Sequence, residues 1–149
     1  MKPVTVTVTV PEAREEVYDF LDVLGNHAGF TDHFLLDWEL SGPRAGIGAR
    51  ARMRVRKPGP ADWLEMEVIG ADRPRSTTEE SISGNGHRRT RGTYLLEELP
   101  GGETKITFEL TWIEAPRAER LIAPITRAIT RRANATSLER LADALREER

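Results

Sequence analysis

Glu79 is the residue of this chain best placed for proton chemistry. Asn85-Gly86 is the preferred pair for a two-residue hairpin turn, and such a turn sets Glu79 opposite Gly92 and Glu80 opposite Arg91. Side chains alternate between faces along a strand, so Thr77, Glu79, Ser81, Arg88 and Thr90 share one side of the hairpin and Glu80 takes the other. A three-residue loop at Pro100-Gly101-Gly102 places Tyr94 opposite Phe108 and Leu96 opposite Ile106. Tyr94, Leu96, Ile106, Phe108, Leu110 and Trp112 then join Glu79 on one face, which is polar at one end where a filled core is apolar throughout. An enclosed carboxylate is costly without a partner, so Glu79 requires water, a cation such as Arg88, or a ligand. Burial raises its pKa and makes it a general acid or base, whereas pairing with Arg88 lowers it and makes an anchor. Both outcomes are open at this point, and a slip of register or a bulge near Gly92 exchanges Glu79 for Glu80.

The catalytic candidates are therefore Glu79, with Arg88 and Tyr94 in support. Trp38, Tyr94 and Trp112 beside Glu79, Ser81 and Thr90 make the wall of a mixed pocket, apolar for affinity and polar for orientation. Met53 and Met66 add an adaptable surface, and Phe108, Ile125 and Ile129 complete the expected ligand-binding set. His27, Asp32 and His33 do not make a metal site, because six residues of helix rotate the two imidazoles about 240° apart. Both histidines are expected at the surface near a cavity mouth. No metal or cofactor is called for.

Those groups need a sheet and a cover. Val4, Val6, Val8 and Val10 alternate with Thr5, Thr7 and Thr9, the period of a strand with one buried face. Pro11-Glu12-Ala13 then opens a helix with Val17, Tyr18, Phe20, Leu21 and Leu24 on its apolar stripe, and a short helical piece follows from Ala28 to Phe34. Six strand-like runs come next, Leu35 to Leu40, Ala49 to Arg56, Trp63 to Ile69, Ser76 to Ser83, Arg88 to Leu99 and Glu103 to Ile113. The turns between them are too short for crossover helices, so consecutive strands pair antiparallel. A four-residue loop at Pro58 to Ala61 sets Arg52 against Glu67, Arg54 against Glu65 and Arg56 against Trp63, so the arginine stripe of this hairpin is an ion-pair ladder rather than a nucleic-acid track. Pro116 to Glu148 reads as one long helix bent at Pro124, burying Leu121, Ile122, Ile125, Ile129, Ala133, Leu138, Leu141, Ala142 and Leu145. The expected fold class is α+β, with the long helix covering one curved antiparallel sheet.

Composition fits one domain over 149 residues, with 38% hydrophobic and 31% charged residues. A net charge of −2 gives no general attraction to nucleic acid, and the absence of cysteine excludes thiolate chemistry. No apolar leader or membrane span is visible, which makes the cytoplasm the expected location.

The opening strand into Val10-Pro11-Glu12, the helix with Glu16-Val17-Tyr18-Asp19-Phe20-Leu21, the late hairpin with Arg91-Gly92-Thr93-Tyr94-Leu95-Leu96-Glu97 and Gly101-Gly102-Glu103-Thr104-Lys105-Ile106-Thr107-Phe108, and the terminal helix together resemble the SRPBCC superfamily of START domains, birch-pollen-allergen-like proteins and bacterial polyketide cyclases. The resemblance implies a helix-grip fold, a bent seven-stranded antiparallel sheet around the C-terminal helix with two short helices after the first strand and a cavity between sheet and helix. It also implies a small hydrophobic or amphipathic partner, lipid- or polyketide-like, held by a monomer or homodimer. Many relatives carry a tryptophan in the short second helix, where this chain has Phe30, Asp32, His33 and Phe34. The leading expectation is a binding protein. A polyketide aromatase/cyclase using Glu79, Arg88 and Tyr94 is the alternative, and a protein-interaction module is the second.

Overall fold

The valine–threonine alternation forms β1 (Val4–Val10), with Val4, Val6 and Val10 buried. Pro11 ends it, and the chain passes through α1 (Arg14–Asp22), a 3-10 turn at Leu24–Asn26 and α2 (His27–Thr31). The remaining strands are β2 (Leu35–Ser41), β3 (Arg50–Val55), β4 (Asp62–Asp72), β5 (Ser76–Ser83), β6 (Arg88–Glu98) and β7 (Thr104–Glu114), followed by α3 (Arg117–Leu121) and α4 (Ala123–Glu147). These elements belong to a computed structural model that describes residues 1–148.

The seven strands make one antiparallel sheet in the order β1-β7-β6-β5-β4-β3-β2. Each strand from β3 to β7 lies beside its predecessor, as short turns require, and β1 joins at β7. With α4 laid against this sheet, the chain has the helix-grip architecture.

The β5–β6 hairpin turns at Asn85 (φ 56°, ψ 35°) and Gly86 (φ 89°), the two left-handed positions of a type I′ turn, and the N–H of His87 donates to the carbonyl of Gly84 at 3.1 Å. Glu79 faces Gly92 and Glu80 faces Arg91 as the turn chemistry requires. The β6–β7 pairs Tyr94–Phe108 and Leu96–Ile106 also follow the sequence reading.

The β3–β4 hairpin differs by two residues. Arg52 faces Glu65, Arg50 faces Glu67 and Arg54 faces Trp63, because the connection spans 56–61 rather than 58–61. The N–H of Arg56 leaves the hairpin and donates to the carbonyl of Phe34 at 2.8 Å. A two-residue shift preserves faces, so Ala51, Met53, Met66 and Val68 remain inside. Outside, Arg50–Glu67 at 3.1 Å, Arg54–Asp37 at 2.9 Å and Arg91–Glu80 at 3.0 Å form the ladder. Trp63 stacks under Arg52 at 3.9 Å instead of Arg56.

The terminal segment is two helices, not one bent helix. Backbone at Ile122 (φ −114°, ψ 37°) breaks the run, and Pro124 lies in the first turn of α4, where no intrahelical donor is needed. The buried line of α4 is Asn134, Ser137, Leu138, Leu141 and Leu145. At roughly 100° per residue, Ile125 and Ile129 fall on the far side of that line. They are 57% and 66% exposed, so their expected place in the ligand wall is corrected.

Two apolar clusters result. One joins Val6, Val10, Val17, Tyr18, Phe30, Tyr94, Phe108 and Leu138 to the end of α4, and the other joins Leu24, Leu35, Met53, Met66 and Val68 under the β2–β4 half of the sheet.

Candidate functional site

A cavity of about 40 Å³ lies between the two clusters, lined by Leu35, Trp38 and Met66 on one side, Tyr94, Phe108 and Leu138 on the other, and Glu79, His27, Thr31, Phe34, Asn134 and Ser137 between them. Space of this size holds about two or three waters.

Glu79 reaches it because of two neighbouring positions. Across the sheet it sits beside Val68 and Gly92. A Cβ at Gly92 would stand 2.6 Å from Cζ of Phe108 and 3.4 Å from Oε1 of Glu79. Glycine there lets the Phe108 ring cross β6 and sit against the carboxyl. On β2, Asp37 and Trp38 together oppose the single residue Met53, a bulge with Asp37 at φ 58°. Without it Asp37 would point inward and Trp38 outward. The bulge reverses this, placing Asp37 on Arg54 and the indole at the cavity.

The partner of Glu79 is His27, not Arg88. His27 is only 3% exposed, which corrects the expectation of a surface histidine. Its Nε2–H donates to the carbonyl of Leu21 at 2.7 Å, leaving Nδ1 as the free acceptor, 3.9 Å from Oε2 of Glu79. That spacing suits an ion pair, yet burial opposes charge on both groups. Desolvation pushes Glu79 up to about 8, and desolvation, against the Leu21 hydrogen bond, holds His27 at about 4. At neutral pH the pair is a carboxylic acid facing an unprotonated imidazole nitrogen, too far apart for a direct bond and correctly spaced for a bridging oxygen. Tyr94 meets the His27 ring edge-on at 5.6 Å and Phe108 at 4.5 Å. Burial first, and then Glu79, raise its phenol pKa well above the ordinary value, so it too keeps its proton.

Two residues that line this space carry further donors. Trp38 Nε1 and Asn134 Nδ2 are buried with no hydrogen-bond partner among the described residues. An unmet buried donor costs about 1–3 kcal/mol, so both call for an acceptor.

Of the residues expected at the site, Trp38, Met66, Glu79, Tyr94 and Phe108 line the cavity together. The others do not. Met53 is sealed in the second cluster and Ser81 is buried further along β5. Thr90 pairs with Trp112 across β6–β7, and Trp112 lines a surface cleft with Met1 and Pro116. Arg88 is held by Asp62 at 3.1 Å, by Ser83 at 2.9 Å and by Glu119, a network that ties α3 to the β4–β5–β6 edge. His27, Thr31, Asn134 and Ser137 were not foreseen at the site. His33 donates from Nε2 to the carbonyl of Ala133 at 3.0 Å, and no cluster of metal-ligating side chains is present among the described residues.

At the level of sequence, no family model and no curated protein matches the chain. In structure it is similar to TTHA0849 from Thermus thermophilus over 99% of both chains, with TM-score 0.77 and 17% identity. Norcoclaurine synthase from Thalictrum flavum superposes at TM-score 0.67 and 15% identity, over 91% of this chain and 84% of that one. DynU16, a protein of the dynemicin biosynthetic locus, matches 98% of this chain with 48% of its own length, at TM-score 0.68 and 20% identity. The chain shares with these neighbours the helix-grip fold, one antiparallel sheet around a C-terminal helix.

Proposed function

We propose that this helix-grip chain binds a small amphipathic molecule whose oxygenated end enters the cavity between the sheet and α4. The observation that carries the reading is the donor set of the lining residues, the indole N–H of Trp38, the amide of Asn134 and the protonated carboxyl of Glu79, with Nδ1 of His27 as an acceptor opposite Glu79. Such a wall fits a carbonyl, phenol or enol oxygen and rejects a bare hydrocarbon. About 40 Å³ accommodates only that polar end. The remainder of the ligand requires the half-buried ring of Phe34 to swing outward.

The likenesses to DynU16, from a biosynthetic locus, and to a norcoclaurine synthase support small-molecule chemistry as one use of this fold. A second reading, catalysis, is favoured by one feature, the acid and base poised 3.9 Å apart. Glu79 gives its proton to a ligand carbonyl oxygen while Nδ1 of His27 accepts one from the adjacent carbon, which converts a ketone to its enol with no net change in protons.

The test uses the indole N–H resonances of the three tryptophans during titration with a hydroxylated naphthalene or anthraquinone. Saturable movement of the Trp38 signal with Trp63 unmoved is the expected result. No movement of Trp38 at millimolar probe overturns the binding reading, and deuterium exchange at the carbon next to the carbonyl of a bound ketone separates catalysis from carriage.

A further inference from the structure

We propose that the outer corner where α3 meets α4 docks on the surface of an anionic bilayer. Leu121, Ile122, Ile125 and Ile129 are 79%, 49%, 57% and 66% exposed, and the three isoleucines repeat at spacings of three and four along one line directed away from the sheet. Five arginines, Arg117, Arg120, Arg127, Arg131 and Arg132, occupy the same stretch of chain; of these Arg127 is turned towards the start of β1, donating to the carbonyls of Lys2 and Pro3 at 3.0 and 2.9 Å. Among the described residues none of them forms an ion pair, whereas Arg50, Arg52, Arg54, Arg89 and Arg91 of the sheet each do. Glu119, the one acid in the stretch, is taken by Arg88. Uncovered aliphatic side chains therefore stand beside unneutralised guanidinium groups in a chain whose net charge is −2.

Charge complementarity selects the occupant. A second copy seated on this face by twofold symmetry would bring arginine against arginine. A folded partner would need a groove for a protruding ridge that carries no exposed aromatic anchor. A bilayer takes protruding aliphatics without a preformed groove, and its phosphates meet the arginines at headgroup depth. No helix among the described residues is long and apolar enough to cross a membrane, so the contact is one of lying on the surface. The inference does not depend on what the cavity holds.

The experiment is sedimentation of the full chain with extruded vesicles at low salt, comparing pure phosphatidylcholine with phosphatidylcholine containing about 30 mol% phosphatidylglycerol. Binding to the anionic vesicles is expected to be at least roughly tenfold stronger, and to fall by roughly tenfold in Ile125→Ser/Ile129→Ser. Arg131→Gln/Arg132→Gln should weaken it and flatten its salt dependence. Both pairs are exposed, and thermal melts matching the parent protein establish that the variants fold. The proposal is overturned if anionic vesicles are ignored, or if the isoleucine variant binds them as well as the parent, which marks mere charge adsorption. It is equally overturned if the same variants abolish a concentration-dependent dimer or a complex with an acidic protein while vesicles stay unbound.

Discussion

Glu79 and His27 set opposite pH dependences on the same cavity. The raised Glu79 pKa means that the native protein keeps a proton from about 4.5 to about 8 where the unfolded chain has released it, so stability falls as pH rises across that range. His27 is lowered, so the native protein lacks a proton between about 4 and 6.5 that the unfolded chain holds, and stability rises with pH there. The two contributions oppose one another up to about 6.5, and above it the Glu79 decline stands alone. Urea midpoints measured from pH 5 to 9, about the range these two groups span, should fall on the alkaline side in the parent protein and stay flatter in Glu79→Gln, with Glu80→Gln behaving like the parent. Glu80 sits on the outer face with Arg91 at 3.0 Å, an exposed pair of the kind that contributes about 0–1 kcal/mol. Equal flattening in both variants would place the buried carboxyl on the wrong residue. That Glu79 faces inward follows from Asn85-Gly86 alone, because turn chemistry fixes register and register fixes parity. Its partner was not legible in the same way. His27 lies 52 positions earlier in the chain on another element, and local pairing rules carry no information about that encounter.

Among elements, α4 separates what periodicity reveals from what it hides. Apolar spacing selects Ile122, Ile125 and Ile129, yet the side turned to the sheet in that half carries Thr126 and Thr130, and further on Asn134 and Ser137. A stripe chosen by hydrophobicity misses a buried line made of small polar residues, and those are what a polar cavity requires. Leu138, Leu141 and Leu145 lie on the true line and were visible because the core there is apolar. Leu141→Ala should therefore cost about 2–5 kcal/mol in chemical denaturation, against no more than about 0.5 kcal/mol for Ile125→Ala. A cost above about 2 kcal/mol at Ile125 would return that residue to the interior. The β3–β4 register shows a related limit. Pairing Arg54 with Glu65 satisfied charge and burial, and so does pairing Arg52 with Glu65, because a two-residue slip preserves both. Only the conformation of the 56–61 connection distinguishes them.

For the whole molecule, a bent sheet gripping α4 leaves two unfinished surfaces that face different directions. The inner one presents buried donors that lack acceptors, and the outer one presents aliphatics and arginines that lack cover. The order strand, two helices and six strands was legible because most turns are short and most strands alternate, whereas the break of the terminal segment into α3 and α4 was not. The small volume of the cavity was not, since it depends on how Phe34, Trp38 and Leu138 fill space rather than on which residues face inward. A protein that carries an oxygenated ligand in that seat should show it directly. Native mass spectrometry of freshly purified protein, with denaturing extraction and with Glu79→Gln and Trp38→Phe prepared in parallel, is the most direct test. A bound small molecule bearing a carbonyl, phenol or enol oxygen is expected at one per chain in the parent protein, with lower occupancy in both variants. A bound hydrocarbon without such an oxygen, or the same occupancy in all three proteins, would contradict it.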